Sequence, residues 1–353
     1  GEGPSLLRET LEAVPYERSS PANQVLAMAP HPTSPRSAGR GALSSEGPAD
    51  WLERWAATTP DAPFLGAPDQ PWLTYGEAKR RTDQLRSLLH EQGVRADDCV
   101  MLALPNVNAN ALLWVAIQSL GATVVEVDRE WAELALSEAI EQTKPKLIAI
   151  EGRDARRWGT LAGADRLLVV HPTKPPPALE KALAGRMAAW VSDGGEPPTE
   201  PTPVPREPTD DTRLGQIVFT SGSTGSPRGV MHTVRNLAAS AKAISLSLDL
   251  RASDRGLLVL PLFYVYGKSV LNSHLYVGGS VFMDHRFMYP RVVMEGLATS
   301  KCTNLSGVPL TWELIKRQVD LTTLDHSSLR FVTQAGGAMA QETIDWLREA
   351  IAP

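Results

Sequence analysis

Short apolar runs alternate with longer segments of helical periodicity through the first half of this chain, and that alternation limits its possible folds more than any other feature. The run at residues 99–104 closes at Pro105-Asn106, a helical stretch at about 108–120 closes at Gly121, and a second apolar run, 122–127, follows at once. Strand, helix and strand in that order form the unit that builds a parallel sheet. A helix at 131–142 and strands at 146–150 and 167–170 continue the series. Upstream, Trp51, Leu52 and Trp55 recur at helical spacing, and Leu73-Thr74-Tyr75-Gly76-Glu77 opens a helix that stops at Gly93. Thr74 is its expected N-cap, with Glu77 completing a capping box.

The composition changes at 194–210, where Pro197, Pro198, Pro201, Pro203, Pro205 and Pro208 interleave with Glu and Thr. A semi-rigid extended linker or surface loop is expected there. It divides a first α/β lobe, 48–193, from a second, 211–353, with strands expected at 216–219, 256–260, 280–283, 303–305 and 330–333 and helices at 234–247, 309–319 and 341–351. The fold class is α/β, two doubly wound and largely parallel sheet lobes. Residues 1–47 hold one short helical candidate at 6–14 and then a tract rich in Pro, Ser, Gly and Ala, expected to be a flexible leader. Its start, Gly1-Glu2-Gly3-Pro4, has no Met and fits a cloning scar or an internal or processed fragment.

Charge and cysteine content exclude several function classes. Lys and Arg number 35 against 40 Asp and Glu, a formal charge of -5, which offers no basic field to nucleic acid. Cys99 and Cys302 stand far apart without His or Cys at ligand spacing, so neither a disulfide framework nor a metal site is expected. No apolar run approaches the roughly 18 residues that span a bilayer, and no export signal opens the chain, so a cytoplasmic protein without membrane insertion is expected.

The chemistry concentrates in Thr220-Ser221-Gly222-Ser223-Thr224-Gly225-Ser226-Pro227-Arg228-Gly229, with three Gly, three Ser and two Thr directly after an apolar run. Glycines let backbone N–H groups approach phosphate oxygens, hydroxyls add donors, and Arg228 adds fixed positive charge. Composition alone favours a Ser- and Gly-rich surface linker. Placement argues against that, because Ile217-Val218-Phe219 and Gly229-Val230-Met231 anchor both ends in apolar sequence. The loop does not match the P-loop spacing, so ATP would be held differently.

This loop resembles the signature of the adenylate-forming superfamily of acyl-CoA synthetases, peptide-synthetase adenylation domains and luciferases. The resemblance runs from about Ala49 to the end, through Leu104-Pro105-Asn106, Gly121-Ala122, Leu260-Pro261-Leu262-Phe263-Tyr264-Val265-Tyr266-Gly267, Gly307-Val308-Pro309 and Gln334-Ala335-Gly336-Gly337-Ala338. It implies most of an AMP-binding N-terminal domain. It further implies that Thr220, Ser221, Gly222, Ser223, Thr224 and Gly225 hold the β- and γ-phosphates of ATP, with Arg228 where the family usually has Lys. Gly336, Gly337 and Ala338 would lie against adenine, although a tight turn after a strand explains them equally well. Tyr264 stands where many relatives have His, beside the substrate carboxylate, and Tyr266, Gly267 and Lys268 would line the acyl pocket. Lys268 is either a solvated helix residue or the partner of a polar or acidic substrate group. His232, His274 and His285 are expected to be structural.

The implied reaction joins a carboxylic acid to ATP as an acyl-adenylate with release of pyrophosphate, using Mg²⁺ on the phosphates. A thiol of CoA or of a carrier protein would then take the acyl group. Family elements expected beyond Pro353, among them a Tyr-Gly-x-Thr-Glu segment and a C-terminal domain with a catalytic Lys, do not occur in these residues. The chain is therefore expected to be part of a ligase, truncated before the C-terminal domain and impaired by itself, the alternative being a non-catalytic nucleotide-binding or scaffolding relative.

Overall fold

The computed structural model describes residues 24–27, 46–220 and 227–351. In chain order its elements begin with β1 Gln24–Ala27, α1 Pro48–Thr58, β2 Pro63–Gly66, β3 Leu73–Thr74, α2 Tyr75–Glu91, β4 Cys99–Ala103, α3 Asn108–Ser119, β5 Thr123–Glu126, α4 Glu133–Thr143 and β6 Leu147–Glu151. They continue with α5 Ala155–Trp158, β7 Leu167–Val170, α6 Pro177–Ala182, β8 Met187–Val191, β9 Leu214–Thr220, β10 Arg228–Thr233, α7 Val234–Ser247, β11 Arg255–Leu258 and α8 Val265–Val277. The last are β12 Ser280–Met283, α9 Pro290–Thr299, β13 Asn304–Gly307, α10 Pro309–Gln318, β14 Phe331–Gln334 and α11 Gln341–Ile351.

Two sheets result. The first has the strand order β10-β9-β5-β4-β6-β7-β8 and is parallel except for β10, and the second has the order β1-β14-β13-β11-β12-β2-β3 with antiparallel edge strands β1 and β3. Alternate residues of the first sheet explain its uninterrupted apolar runs. Val100, Leu102, Val124 and Leu168 enter one core with Trp51, Leu85, Trp114, Leu257 and Leu275, which joins the first sheet to α1, α2, α3, α8 and the second sheet. Met101, Val125, Ile148 and Val169 face the other way, into a core closed by Leu136 and Ile140 of α4 and by Trp158 of α5. A strand covered on both faces buries nearly every side chain, which gives the near-continuous apolar pattern of a parallel sheet, with buried polar residues such as Glu126 and Gln216 paired.

The α/β class stands, but the sheets do not divide at 194–210 as expected. β9, after the Pro-rich segment, pairs in parallel with β5 (Val124↔Gln216, Val125↔Ile217), whereas β2, long before it, pairs with β12 of the second sheet. Apolar strands go to whichever edge buries them, and Ile217, Val218 and Phe219 are buried beside β5. The Pro-rich segment is also more than a free linker. The Val204 carbonyl accepts from Arg86 Nε and Nη2 at 3.1 and 2.9 Å, the Glu207 amide donates to the Ser119 carbonyl, and Arg206 pairs with Asp50 at 2.6 Å. It straps α1, α2 and α3 together. Within the expected leader, residues 24–27 form β1 along β14, while the helical candidate at 6–14 lies outside the described residues.

Candidate nucleotide and acyl site

The glycine-rich loop leaves the first sheet from two paired strands. β9 ends at Thr220 and β10 begins at Arg228, and these residues face each other across the antiparallel ladder. The Thr220 hydroxyl lies 3.5 Å from the Arg228 carbonyl, and Gln142 Nε2 donates to the Pro227 carbonyl at 3.2 Å. Gly229 permits this pairing, because a Cβ there would approach Ile217 Cγ2 to 2.9 Å. Thr220 and Arg228 are exposed at the loop's two ends, which are anchored in a buried strand and its partner as the sequence suggested. Ser221, Gly222, Ser223, Thr224 and Gly225 lie outside the described residues.

The second half of the site forms where α8 starts. Tyr264 is the N-cap of α8 with extended backbone, and its carbonyl accepts the Lys268 amide at 3.0 Å. It lines a cavity of about 640 Å³ formed by α7, α8, β13 and β14. Gly336, just past β14, holds φ at +86°, and a Cβ there would lie 3.0 Å from the Tyr264 hydroxyl. Only glycine combines that backbone with that contact. Gln334 fixes the turn by donating Nε2 to the Gly337 carbonyl at 2.7 Å. Gly337 and Ala338 follow on its exposed side, so the segment forms a bare backbone ledge beside Tyr264.

Two residues expected in the pocket are elsewhere. Gly267 faces the loop before α8: a Cβ on it would meet the Pro261 carbonyl at 2.3 Å, so its role is to let the helix pass beneath that loop. Lys268 is neither solvated nor free to meet substrate. It is 2% exposed, its ammonium lies 2.6 Å from the Glu126 carboxylate at the end of β5, and it sits 4.8 Å above the Trp114 ring. Its anionic partner is thus internal, as a buried ammonium requires. Burial pushes the Glu126 carboxyl up and the Lys268 ammonium down from their usual ranges, while their mutual attraction opposes both shifts. Tyr266 does line the cavity, with its hydroxyl 2.7 Å from Thr333 Oγ1.

Sequence reasoning passed over Asn304, Ser306 and Thr333, which with His274 form the cavity's polar wall. The signal was present, since Asn304 and Ser306 alternate within an otherwise apolar strand and so share a face. A second cavity, of about 620 Å³, opens among the loops after β2, β4, β6, β7 and β12, beside Arg81, Asn108, Asp193 and Arg286. Of the motif residues, Pro105 and Asn106 line it, while those of the glycine-rich loop ends, α8 and the 334–338 turn do not. Among the described residues no group of three or more His, Cys, Asp or Glu could hold a metal, and no helix is long and apolar enough to cross a membrane.

The model of the AMP-binding enzyme family matches residues 52–353. The chain belongs to that family. Among curated relatives, acetyl-coenzyme A synthetase 2 of Saccharomyces cerevisiae (strain ATCC 204508 / S288c) is 26% identical over 335 residues, covering 85% of this chain and 47% of the relative. 4-Coumarate-CoA ligase 1 of Narcissus pseudonarcissus is 27% identical over 286 residues, covering 79% and 50%. The solved anthranilate CoA ligase AuaEII, in complex with anthranoyl-AMP, superposes with a TM-score of 0.73 at 20% identity, covering 86% of this chain and 58% of that one. The chain thus spans about half the length of the curated relatives it matches. For an AMP-binding enzyme the donor set fits a nucleotide: hydroxyl and guanidinium at the ends of the glycine-rich loop, and at Gly336 a ledge without side chain.

Proposed function

We propose that this chain is an incomplete part of a ligase that activates a carboxylic acid with ATP. In this reading a carboxylate oxygen attacks the α-phosphorus, the bond from that phosphorus to the bridging oxygen breaks, and pyrophosphate leaves with the electron pair. A thiol of CoA or of a carrier-protein pantetheine then attacks the acyl carbon, the bond to the phosphate oxygen breaks, and AMP leaves as the thioester forms. One observation carries the reading: the Tyr264 hydroxyl stands against Gly336 where both line one cavity, so an acid held there would present its carboxylate beside the backbone ledge that would receive the nucleotide.

Catalysis here is chiefly placement and charge neutralisation. Thr220, Ser221, Gly222, Ser223, Thr224 and Gly225 would hold the β- and γ-phosphates, and Arg228 would oppose the charge that grows on departing pyrophosphate. Tyr264 would orient the carboxylate, while Gly336, Gly337 and Ala338 would receive the base. Mg²⁺ bound to the phosphates would neutralise further charge, needing no protein cage because the phosphates themselves supply oxygens.

Acid-dependent exchange of labelled pyrophosphate into ATP tests this reading, with this chain measured beside the full-length polypeptide. Arg228→Ala is expected to lower exchange by about a hundredfold, the scale of a lost transition-state donor, and Arg228→Lys to restore most of it. Nucleotide binding without exchange for any acid in the full-length protein would replace this reading with a non-catalytic one.

A further inference from the structure

The cavity behind Tyr264 has walls specific enough to define the acid's tail, granted the adenylation reading on which this step rests. Ile244 of α7, Leu248 just past it, and Val265 and Val270 of α8 give it apolar sides. Among the described residues, no Asp, Glu, Lys or Arg lines it. Its one imidazole, His274, is uncharged for a structural reason. The Thr303 hydroxyl donates to the Asp254 carboxylate at 2.8 Å and accepts from Asn304 Nδ2, whose second hydrogen goes to His274 Nε2 at 3.0 Å. His274 Nδ1 donates to the Val270 carbonyl at 2.8 Å, so the ring carries one proton, and burial holds its proton affinity below the usual range.

Most donors of the wall are already used. The Ser269 and Ser273 hydroxyls donate to carbonyls of their own helix, and the Gln334 amide to Ala335 and Gly337. Deeper on the polar side runs a row of hydroxyls, with Tyr266 Oη 2.7 Å from Thr333 Oγ1 and Thr333 Oγ1 2.8 Å from Ser306 Oγ. Three hydroxyls joined by two short hydrogen bonds keep one proton over, which in the free site falls on the looser approach of Tyr266 to Ser306. A buried donor left unmatched is costly, so a ligand in this cavity is favoured when it brings an acceptor.

We propose that this site selects a carboxylic acid whose tail is uncharged, partly apolar, and bears an acceptor oxygen that takes the spare proton of the Tyr266–Thr333–Ser306 row. Hydroxy, oxo and alkoxy acids meet that description. Dicarboxylic acids and acids with an ammonium in the tail do not, since nothing in the wall would balance the charge.

Pyrophosphate exchange by the full-length protein over two matched series tests the proposal: 4-hydroxy-, 4-methyl-, 4-carboxy- and 4-aminomethylbenzoate, and hexanoates ending in hydroxyl, methyl, carboxylate and ammonium. In the series that fits, kcat/KM for the hydroxy acid is expected to exceed that for the methyl acid by about tenfold or more, the scale of one buried hydrogen bond. The charged members should fall about a hundredfold lower still. Thr333→Val and Ser306→Ala should each shrink the hydroxy-to-methyl ratio. Equal or better use of a charged acid, or a methyl acid at least as good as its hydroxy counterpart in both series, overturns the proposal while leaving adenylation standing. Exchange with no acid at all would remove the adenylation reading itself, and this proposal with it.

Discussion

Lys268 shows how far a single residue can be understood from sequence. Its position in an apolar stretch required an anionic partner if buried, and that much was legible. That the partner is Glu126, 142 positions away in the chain, depends on which strand ends beside α8, and no local pattern encodes it. With both side chains nearly sealed from water, Lys268→Met leaves a buried carboxylate unpaired and is expected to cost about 3–5 kcal/mol. The double replacement Lys268→Met with Glu126→Leu should recover most of that loss in urea unfolding; additive losses would mean that the pair is not coupled. His274 allows a pH test. Its folded proton affinity is depressed by burial, so the unfolded chain binds the extra proton as pH falls past about 6.5. Its contribution is present above that pH and lost below it, by up to about 1.4 kcal/mol per pH unit. His274→Gln should therefore show a flatter stability profile between pH 7 and 5 than the parent chain, whatever its absolute stability.

Among the elements, α2 and the turn after β14 mark the two extremes of what local sequence reveals. The capping box of α2 forms as its spacing indicated: the Glu77 amide donates to Thr74 Oγ1 at 3.2 Å, and the Thr74 amide donates to Glu77 at 2.8 Å. Thr74→Ala is expected to destabilise by about 1 kcal/mol in thermal unfolding. Both partners lie within four residues, so sequence suffices. The 334–337 turn depends on contacts from elsewhere. Gly336→Ala meets both a positive φ and the Tyr264 hydroxyl, whereas a Cβ on Gly337 meets only Pro309 Cγ at an ordinary 3.4 Å. We expect Gly336→Ala to lower exchange by about tenfold or more through displacement of Tyr264, and Gly337→Ala to have a much smaller effect. Equal effects would disconnect the ledge from Tyr264. The glycine pair was visible in the sequence, but which of the two was constrained was not.

At the scale of the whole molecule, alternating apolar runs revealed the class and most strands of the first sheet, because strands buried on both faces carry that pattern wherever they pair. They could not reveal partners. β9 lies beyond the prolines at 197–208 yet completes the first sheet, and the short strands β2 and β3 travel to the second. Residues 48–193 expressed alone would leave the apolar edge of β5 bare, and we expect no cooperative melting of that piece by circular dichroism, in contrast to 48–353. A sharp transition in the shorter piece would show that β9 is dispensable. The same pairing sets a schedule for biosynthesis. Once Glu126 has left the ribosome, the edge of β5 waits for a neighbour that emerges only with Leu214, and at cellular elongation rates that wait lasts roughly four to eighteen seconds. For that interval a nascent strand with unsatisfied amides and carbonyls is open to any other chain in reach, so a holdase chaperone has most to protect just before the glycine-rich loop is made.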